Sequence, residues 1–113
     1  MLGLLAAPSA AATYPVAGRW TYENASAPGP APACGSSFME FRGAQRFDTE
    51  GGVSQYRNVA VTGAPPSWRV VDEFFNVQIR GRVTYTLRLI DDDHVELSLI
   101  GGGRRILLRR CAR

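Results

Sequence analysis

The stretch RVTYTLRLIDDDHVELSLIGGGRRILLRR, residues 82–110, decides the fold of this chain. Apolar and polar residues alternate along residues 82–90 and 95–99, and in the last segment Ile106, Leu108 and Arg110 alternate with Arg105, Leu107 and Arg109. Such alternation is typical of a β-strand that buries one face and leaves the other in water. Runs of three aspartates and three glycines separate the segments and predict turns. The stretch therefore predicts three consecutive antiparallel strands.

Towards the N-terminus the same kind of pattern continues. Turn residues recur every 8 to 12 positions, a spacing typical of small all-β domains. It predicts further strands at residues 16–23, 37–42, 45–49, 53–62 and 68–75. A sheet of about eight strands tends to close, because closure removes its exposed edges. We therefore expect an all-β fold, a single small antiparallel up-and-down barrel of about eight short strands.

The alternation also predicts which side chains fill the barrel. The predicted inward set is Trp20, Tyr22, Met39, Phe41, Tyr85, Leu87, Leu97, Leu99 and Leu108. Side chains of this volume are able to fill an eight-stranded barrel, so a large ligand is not expected inside. Asp72 and Glu73 must point to opposite faces of their strand. We expect one of the two carboxylates to face inward, against an arginine.

The first dozen residues have the character of a processing segment. Residues 2–7 form a short apolar run, and Ala10, Ala11 and Ala12 then offer a small-residue cleavage site. We expect a signal peptide over residues 1–12, with a true translation start upstream because no basic residue precedes the apolar run. The barrel domain then covers residues 13–113. A frayed apolar tail on a cytosolic protein is the alternative.

Two cysteines, Cys34 and Cys111, are present, and they lack the close spacing of metal or redox motifs. In an oxidising compartment their default is a disulfide bond. Closing a loop of this length is expected to stabilise the fold by about 4 kcal/mol. Export and disulfide support each other, so we expect a periplasmic or secreted protein. Two free buried thiols are the alternative.

The basic residues are all arginine, 13 of them, and the net charge is +3. Exclusive use of arginine is typical of a GC-rich genome. A cluster at the C-terminal end, Arg104 to Arg113, forms a basic stripe of the kind that binds nucleic acid or anionic membranes. No aromatic residues interleave with it, which argues against nucleic-acid binding. Membrane contact gains no support from the pattern, and the oligomeric state is not predicted.

Three segments resemble the bacterial lipocalin-like, or calycin-type, barrels. They are Gly-Arg-Trp at residues 18–20, Met-Glu-Phe-Arg-Gly at 39–43 and Ile-Leu-Leu-Arg-Arg at 106–110. The resemblance implies that Arg110 lies across Trp20 and closes one end of the barrel, through a cation–π contact. It does not carry a ligand-transport function with it. A small β-sandwich and a secreted inhibitor barrel remain alternatives.

Convergent groups for catalysis are missing from the sequence. His94 is the single histidine and follows three aspartates at a predicted hairpin turn. No phosphate-binding or dinucleotide motif occurs. We therefore expect no enzyme, no cofactor and no metal site. The candidate partner surface consists of Pro28, Pro30 and Pro32 in one loop, together with Phe74 and Phe75.

The leading hypothesis is a non-enzymatic exported binding protein of the lipocalin-like type. Its partner would be a protein or a small apolar ligand. An inhibitor of a secreted hydrolase, such as a protease or lysozyme, is one alternative. An accessory or structural subunit of a cell-envelope complex is the other.

Overall fold

A computed structural model of the protein describes residues 13–75, 77–101 and 103–112. The described chain is all-β. The strands are β1 Gly18–Thr21, β2 Phe38–Arg42, β3 Gln45–Asp48, β4 Gln55–Ala64, β5 Ser67–Phe75, β6 Arg80–Asp91, β7 His94–Leu99 and β8 Arg105–Arg110. In the part of the chain that the structure covers, we find no helix of the length and apolarity needed to cross a membrane. The predicted signal peptide, residues 1–12, lies outside the described residues.

The eight strands close into one antiparallel barrel. Each strand pairs with the next one in sequence, and β8 returns to pair with β1. Trp20 lies opposite Arg110, and Thr21 lies opposite Arg109, in the pair that closes the barrel. The predicted fold class is therefore confirmed. β1 is shorter than expected, because the backbone leaves the ladder at Gly18, whose φ of 93° belongs to a left-handed conformation that glycine tolerates.

Up-and-down connectivity gives the barrel two distinct ends. The β1–β2, β3–β4, β5–β6 and β7–β8 connections lie at one end, which we call the open end because the interior cavity opens there. The remaining three connections, with the segment before β1, lie at the other, which we call the closed end. Strand order thus places residues 77–79 and 92–93 at opposite ends of the molecule.

Large apolar side chains fill the closed half of the interior. Seven residues of the predicted inward set are buried, while Tyr22 and Leu99 are only partly buried. Val70, Val95 and Tyr14 complete the core. Tyr14 belongs to the segment before β1, and its ring packs edge-on against Phe41 with centroids 5.0 Å apart. This segment therefore covers the closed end.

A disulfide bond joins Cys34 to Cys111, with their Cα atoms 4.9 Å apart. The backbone beside it is also paired. The Cys34 N–H donates to the Ala112 carbonyl at 3.0 Å, and the Ala112 N–H donates to the Pro32 carbonyl at 2.7 Å. The long β1–β2 loop is therefore fastened to the residues that follow β8.

Candidate functional site

A cavity of about 270 Å³ occupies the open half of the barrel interior. Its apolar lining residues are Met39, Val83, Leu97, Leu99 and Ile106. Its polar lining residues include Tyr22, Arg46, Asp48, Tyr56 and Tyr85. Glu50 and Arg104 lie at the rim, on the loops of the open end. The site is therefore amphipathic, lined by both aliphatic and polar side chains.

A buried ion pair lies at the floor of the cavity. Arg46 Nε donates to Asp72 Oδ2 at 2.8 Å, and neither side chain is more than 6% exposed. A second carboxylate, that of Asp48, lies 3.8 Å from Arg46 Nη1. Burying an ion pair is costly unless further hydrogen bonds satisfy the remaining polar atoms. The surroundings of Asp72 meet that requirement.

Asp72 accepts three hydrogen bonds from side chains inside the barrel. Besides Arg46, the Tyr85 hydroxyl donates to Oδ2 at 2.8 Å, and Asn58 Nδ2 donates to Oδ1 at 3.1 Å. Asp72, Asn58 and Tyr85 have no measurable solvent exposure. The three donors hold the carboxylate in one orientation and fix the position of the guanidinium bound to it.

Aromatic rings enclose the Arg46 guanidinium. Its central carbon lies 3.9 Å from the Tyr56 ring centroid and 5.2 Å from that of Tyr85. These are cation–π distances. Burial alone would lower the pKa of Arg46, but Tyr85 and Asp72 outweigh it and hold that pKa above its ordinary value. Arg46 is therefore a permanent cation within the barrel.

The tyrosines of the interior are neutral hydrogen-bonding groups. The Tyr22 hydroxyl donates to Asp48 Oδ1 at 2.5 Å. Burial and this hydrogen bond raise the pKa of Tyr22, and burial likewise raises the pKa of Tyr85 and of Tyr14. The Tyr14 hydroxyl is buried without a hydrogen-bond partner among the described residues. The phenols keep their protons at neutral pH and so act as hydrogen-bonding groups rather than as bases.

The histidine and the aspartate run lie away from the cavity. Asp91 and His94 belong to the closed end, where His94 Nδ1 is 2.8 Å from Asp91 Oδ1. Asp91 Oδ1 also accepts from the Asp93 N–H, as expected of an aspartate turn. Over the described residues no group of three or more His, Cys, Asp or Glu side chains is placed to hold a metal ion.

Trp20 and Arg110 meet at the closed end. The guanidinium carbon of Arg110 lies 4.4 Å from the Trp20 ring centroid. Arg110 Nε and Nη2 donate to the Asp92 carbonyl at 3.1 and 3.0 Å, and Nη1 donates to the Ala17 carbonyl at 3.4 Å. Arg110 thus links β8, the β6–β7 turn and the segment before β1 across one end of the barrel.

The two halves of the candidate partner surface lie on different sides of the barrel. Pro28, Pro30 and Pro32 belong to the β1–β2 loop, and β5 is four strands from β1 in either direction around the barrel. Pro28 and Pro30 are exposed and Pro32 is partly buried. Phe74 is partly buried, whereas Phe75 is 67% exposed. The structure therefore does not bring these residues into one patch.

Sequence reasoning did not identify Arg46 and Asn58 as interior residues. A signal for Asp72 was present in its own strand. Trp68, Val70, Asp72 and Phe74 share one face by alternation, and the other three are apolar. For Arg46 the sequence indicated the opposite orientation. Adjacent strand residues point to opposite faces, and of Arg46 and Phe47 the apolar Phe47 is the one expected inside, since arginine is rarely buried unless paired.

The fold and the site together define a closed eight-stranded antiparallel barrel with a small amphipathic cavity at one end. Comparison of the chain with protein-family models, with curated proteins and with solved structures gave no significant match.

Proposed function

We propose that this protein is a non-enzymatic, exported, lipocalin-like barrel that binds a small and largely apolar ligand in the mouth of the barrel. The observation that carries the proposal is the cavity of about 270 Å³, lined by aliphatic and polar side chains. Ligand sites of this kind combine apolar lining with a few fixed polar groups. Arg46, held by Asp72, and the phenol of Tyr85 supply those groups here.

The size of the cavity limits the ligand. Sites for drug-sized molecules usually enclose about 300–1,000 Å³, so this one fits a smaller molecule. The closed half of the barrel offers no continuation, because Trp20, Phe41 and Leu108 fill it. The ligand would enter from the open end and reach no deeper than the Arg46 floor.

The charges of the cavity disfavour an anionic ligand. Arg46 faces two carboxylates, those of Asp72 and Asp48, so the interior has no unbalanced positive charge for an anion. The aliphatic lining residues, Leu97 and Leu99 among them, favour a hydrocarbon body. A neutral molecule with one hydroxyl or carbonyl group suits both kinds of lining residue.

Binding can be tested by titrating the isotopically labelled protein with neutral amphiphiles such as 1-hexanol, p-cresol and indole. We expect saturable chemical-shift changes at Leu97, Leu99 and Tyr56. Leu99→Trp should abolish them by filling the cavity, whereas Ile90→Trp, an exposed position at the closed end, should leave them unchanged. Failure of all three compounds to saturate the site would contradict the proposal.

One observation favours the inhibitor alternative. Arg109 Nη2 donates to the carbonyls of Gly29 and Pro30, and the Cys34–Cys111 bond fastens the end of the same loop. An exposed loop with a fixed backbone is the kind of element that enters the cleft of a hydrolase without a large ordering cost. Replacing residues 26–31 by a Gly/Ser segment should then abolish inhibition of a target protease or lysozyme.

A further inference from the structure

The β5–β6 hairpin projects at the open end of the barrel. Pairing between β4 and β5 ends at Arg57 and Glu73. Pairing between β5 and β6 continues through Phe74 with Gly81 and Phe75 with Arg80. On β5, Phe74 and Phe75 are therefore paired with β6 but not with β4. A groove of about 540 Å³ separates them from the start of β4.

The tip of this hairpin is apolar and exposed. Phe75 is 67% exposed, Val77 is 93% exposed and Ile79 is 57% exposed. Single exposed apolar residues are common on protein surfaces, but a cluster of them marks an interaction site. The partly buried Phe74 differs, because its ring packs on the Tyr56 ring, with centroids 5.7 Å apart. The exposed tip is thus built on a packed base.

Arginines surround the base of the tip. Arg80 and Arg82 follow it on β6, and Arg57 lies across Glu73 on β4. All three arginines are exposed. Arg57 forms an ion pair with Glu73, the one carboxylate in this row, so two positive charges are left beside the tip. The Arg80 guanidinium carbon lies 5.7 Å from the Phe75 ring centroid, which places positive charge at the level of the apolar side chains.

We infer that this hairpin docks the protein on the surface of an anionic lipid bilayer. Phe75, Val77 and Ile79 enter the boundary between headgroups and acyl chains, where interfacial segments bury their apolar faces about 5–10 Å deep. Arg80 and Arg82 then lie at the level of the lipid phosphates. Binding combines apolar burial with attraction between the arginines and the anionic surface.

The shape and charge of the tip favour a bilayer over a protein surface. A stable protein interface buries about 800 Å² on each partner, and a narrow hairpin tip offers much less unless it inserts into a soft medium. A symmetric contact with a second copy would place Arg80 and Arg82 against their equivalents, which is electrostatically unfavourable. An anionic bilayer meets both the apolar and the cationic part of the tip.

The topology of the barrel defines how a docked protein is oriented on the lipid surface. The β5–β6 hairpin and the cavity mouth lie at the same end, so a docked barrel presents its mouth towards the lipid. The docking itself rests on the tip alone and does not depend on the proposed ligand. Ile90, which is 44% exposed in the β6–β7 hairpin, lies at the opposite end and provides a matched apolar control.

The test is co-sedimentation of the full barrel, residues 13–113, with sucrose-loaded vesicles. Vesicles of phosphatidylglycerol and phosphatidylcholine should bind the protein, and vesicles of phosphatidylcholine alone should bind it at least tenfold more weakly. Replacing Val77 and Ile79 by Ser should reduce binding at least tenfold, while Ile90→Ser leaves it unchanged. The double variant Arg80→Gln with Arg82→Gln should lose roughly fivefold per arginine, and high salt should do the same.

Insertion has a signature of its own. In a Val77→Trp variant, vesicles should shift the emission of the added indole to the blue, and brominated lipids should quench it, whereas Ile90→Trp shows neither effect. Wild-type protein that ignores anionic vesicles would overturn the inference. A loss of vesicle binding in Ile90→Ser as large as that in the Val77 and Ile79 variant would also overturn it. So would a concentration-dependent dimer that the Val77 and Ile79 substitutions abolish, because a second copy of the chain would then occupy the tip.

Discussion

Arg46 and Asp72 form an ion pair inside the barrel, with Nε and Oδ2 2.8 Å apart. Asp72 is fully buried and Arg46 nearly so. Each charge therefore depends on the other, because an unpaired charge in this interior would be far more costly than the pair. The pair also separates the packed closed half of the barrel from the cavity at the open end.

Removing one partner of this pair should destabilise the fold strongly. We expect Asp72→Ala to lower the free energy of unfolding by about 3–5 kcal/mol, because it leaves the buried Arg46 uncompensated. Glu73→Ala is the matched control, since its partner Arg57 is exposed and an exposed ion pair contributes little, so this variant should lose far less stability than Asp72→Ala. Urea unfolding followed by circular dichroism measures both. Equal effects at positions 72 and 73 would contradict the prediction.

Replacing both partners should recover most of that loss. In the double variant Arg46→Met with Asp72→Leu, the buried guanidinium and the buried Asp72 carboxylate are both removed, while Asp48 keeps its hydrogen bond from Tyr22. A buried pair is often replaceable by apolar residues at little cost in stability. We expect it to be at least about 2 kcal/mol more stable than Asp72→Ala. Its cavity floor would be apolar, so a ligand that needs the polar lining residues should bind it more weakly. A double variant less stable than the single one would contradict this interpretation.

The tyrosines should resist ionisation until the barrel unfolds. Burial raises the pKa of Tyr14, Tyr22 and Tyr85, whereas the unfolded value is about 10. A group with a raised folded pKa contributes its full stability below the unfolded pKa, and loses that contribution as pH rises through the folded one. Stability should therefore decline above about pH 10.

Phenolate absorbance and far-ultraviolet circular dichroism, followed together in an alkaline titration, measure this directly. Tyr56, whose pKa is also raised but which is the least enclosed of the four tyrosines, should ionise first. The other three should ionise together with unfolding. A titration in which all four phenols ionise near pH 10 while the barrel stays folded would be incompatible with the interior described above.

The sequence predicts the strands of the barrel better than it predicts the polar residues of the barrel interior. Alternation along residues 82–99 was sufficient for β6 and β7, because each has one mainly apolar and one mainly polar face. In β8 the pattern is weaker, since Leu107 shares a face with Arg105 and Arg109. β1 was predicted too long, because alternation at Trp20 and Tyr22 continues past the point where the ladder ends at Thr21. Periodicity records which face a residue occupies, but it does not record where pairing stops.

The polar cluster was predicted only in part, for a reason that lies in Arg46. Alternation indicated that Asp72 or Glu73 faces inward against an arginine, and Asp72 does so. Thirteen arginines were available as partners, and choosing one requires the distance between β3 and β5 across the interior. That distance follows from barrel closure, which no local pattern contains. The exposed apolar tip likewise depends on how far β5 and β6 extend beyond the end of β4 pairing.

The disulfide bond should contribute stability that rises with the logarithm of the length of the loop that it closes. Cys34 and Cys111 are 77 positions apart, and both flank segments that are also hydrogen-bonded to each other. We expect the double Cys→Ser variant to be less stable by about 4 kcal/mol and to remain folded at room temperature. Denaturant unfolding of the oxidised, reduced and substituted proteins measures this. A reduced protein as stable as the oxidised one would show that the native contacts alone hold the loop.

The contact between Arg110 and Trp20 should couple the two residues energetically. A cation–π interaction with a buried indole contributes about 0.5–2 kcal/mol, and Arg110 adds hydrogen bonds to the carbonyls of Asp92 and Ala17. We expect Arg110→Gln to lower the free energy of unfolding by about 1–3 kcal/mol. Arg105→Gln, at an exposed position of the same strand, should change it by less than about 0.5 kcal/mol.

A double-mutant cycle isolates the ring contact from these hydrogen bonds. With Trp20→Leu as the second substitution, the coupling energy between positions 20 and 110 should be at least about 0.5 kcal/mol. In a Trp68→Phe background, in which Trp20 is the remaining tryptophan, Arg110→Gln should also alter the Trp20 emission. Zero coupling with an unchanged spectrum would mean that Arg110 closes the barrel through the Asp92 and Ala17 carbonyls alone, and that the indole serves as core packing.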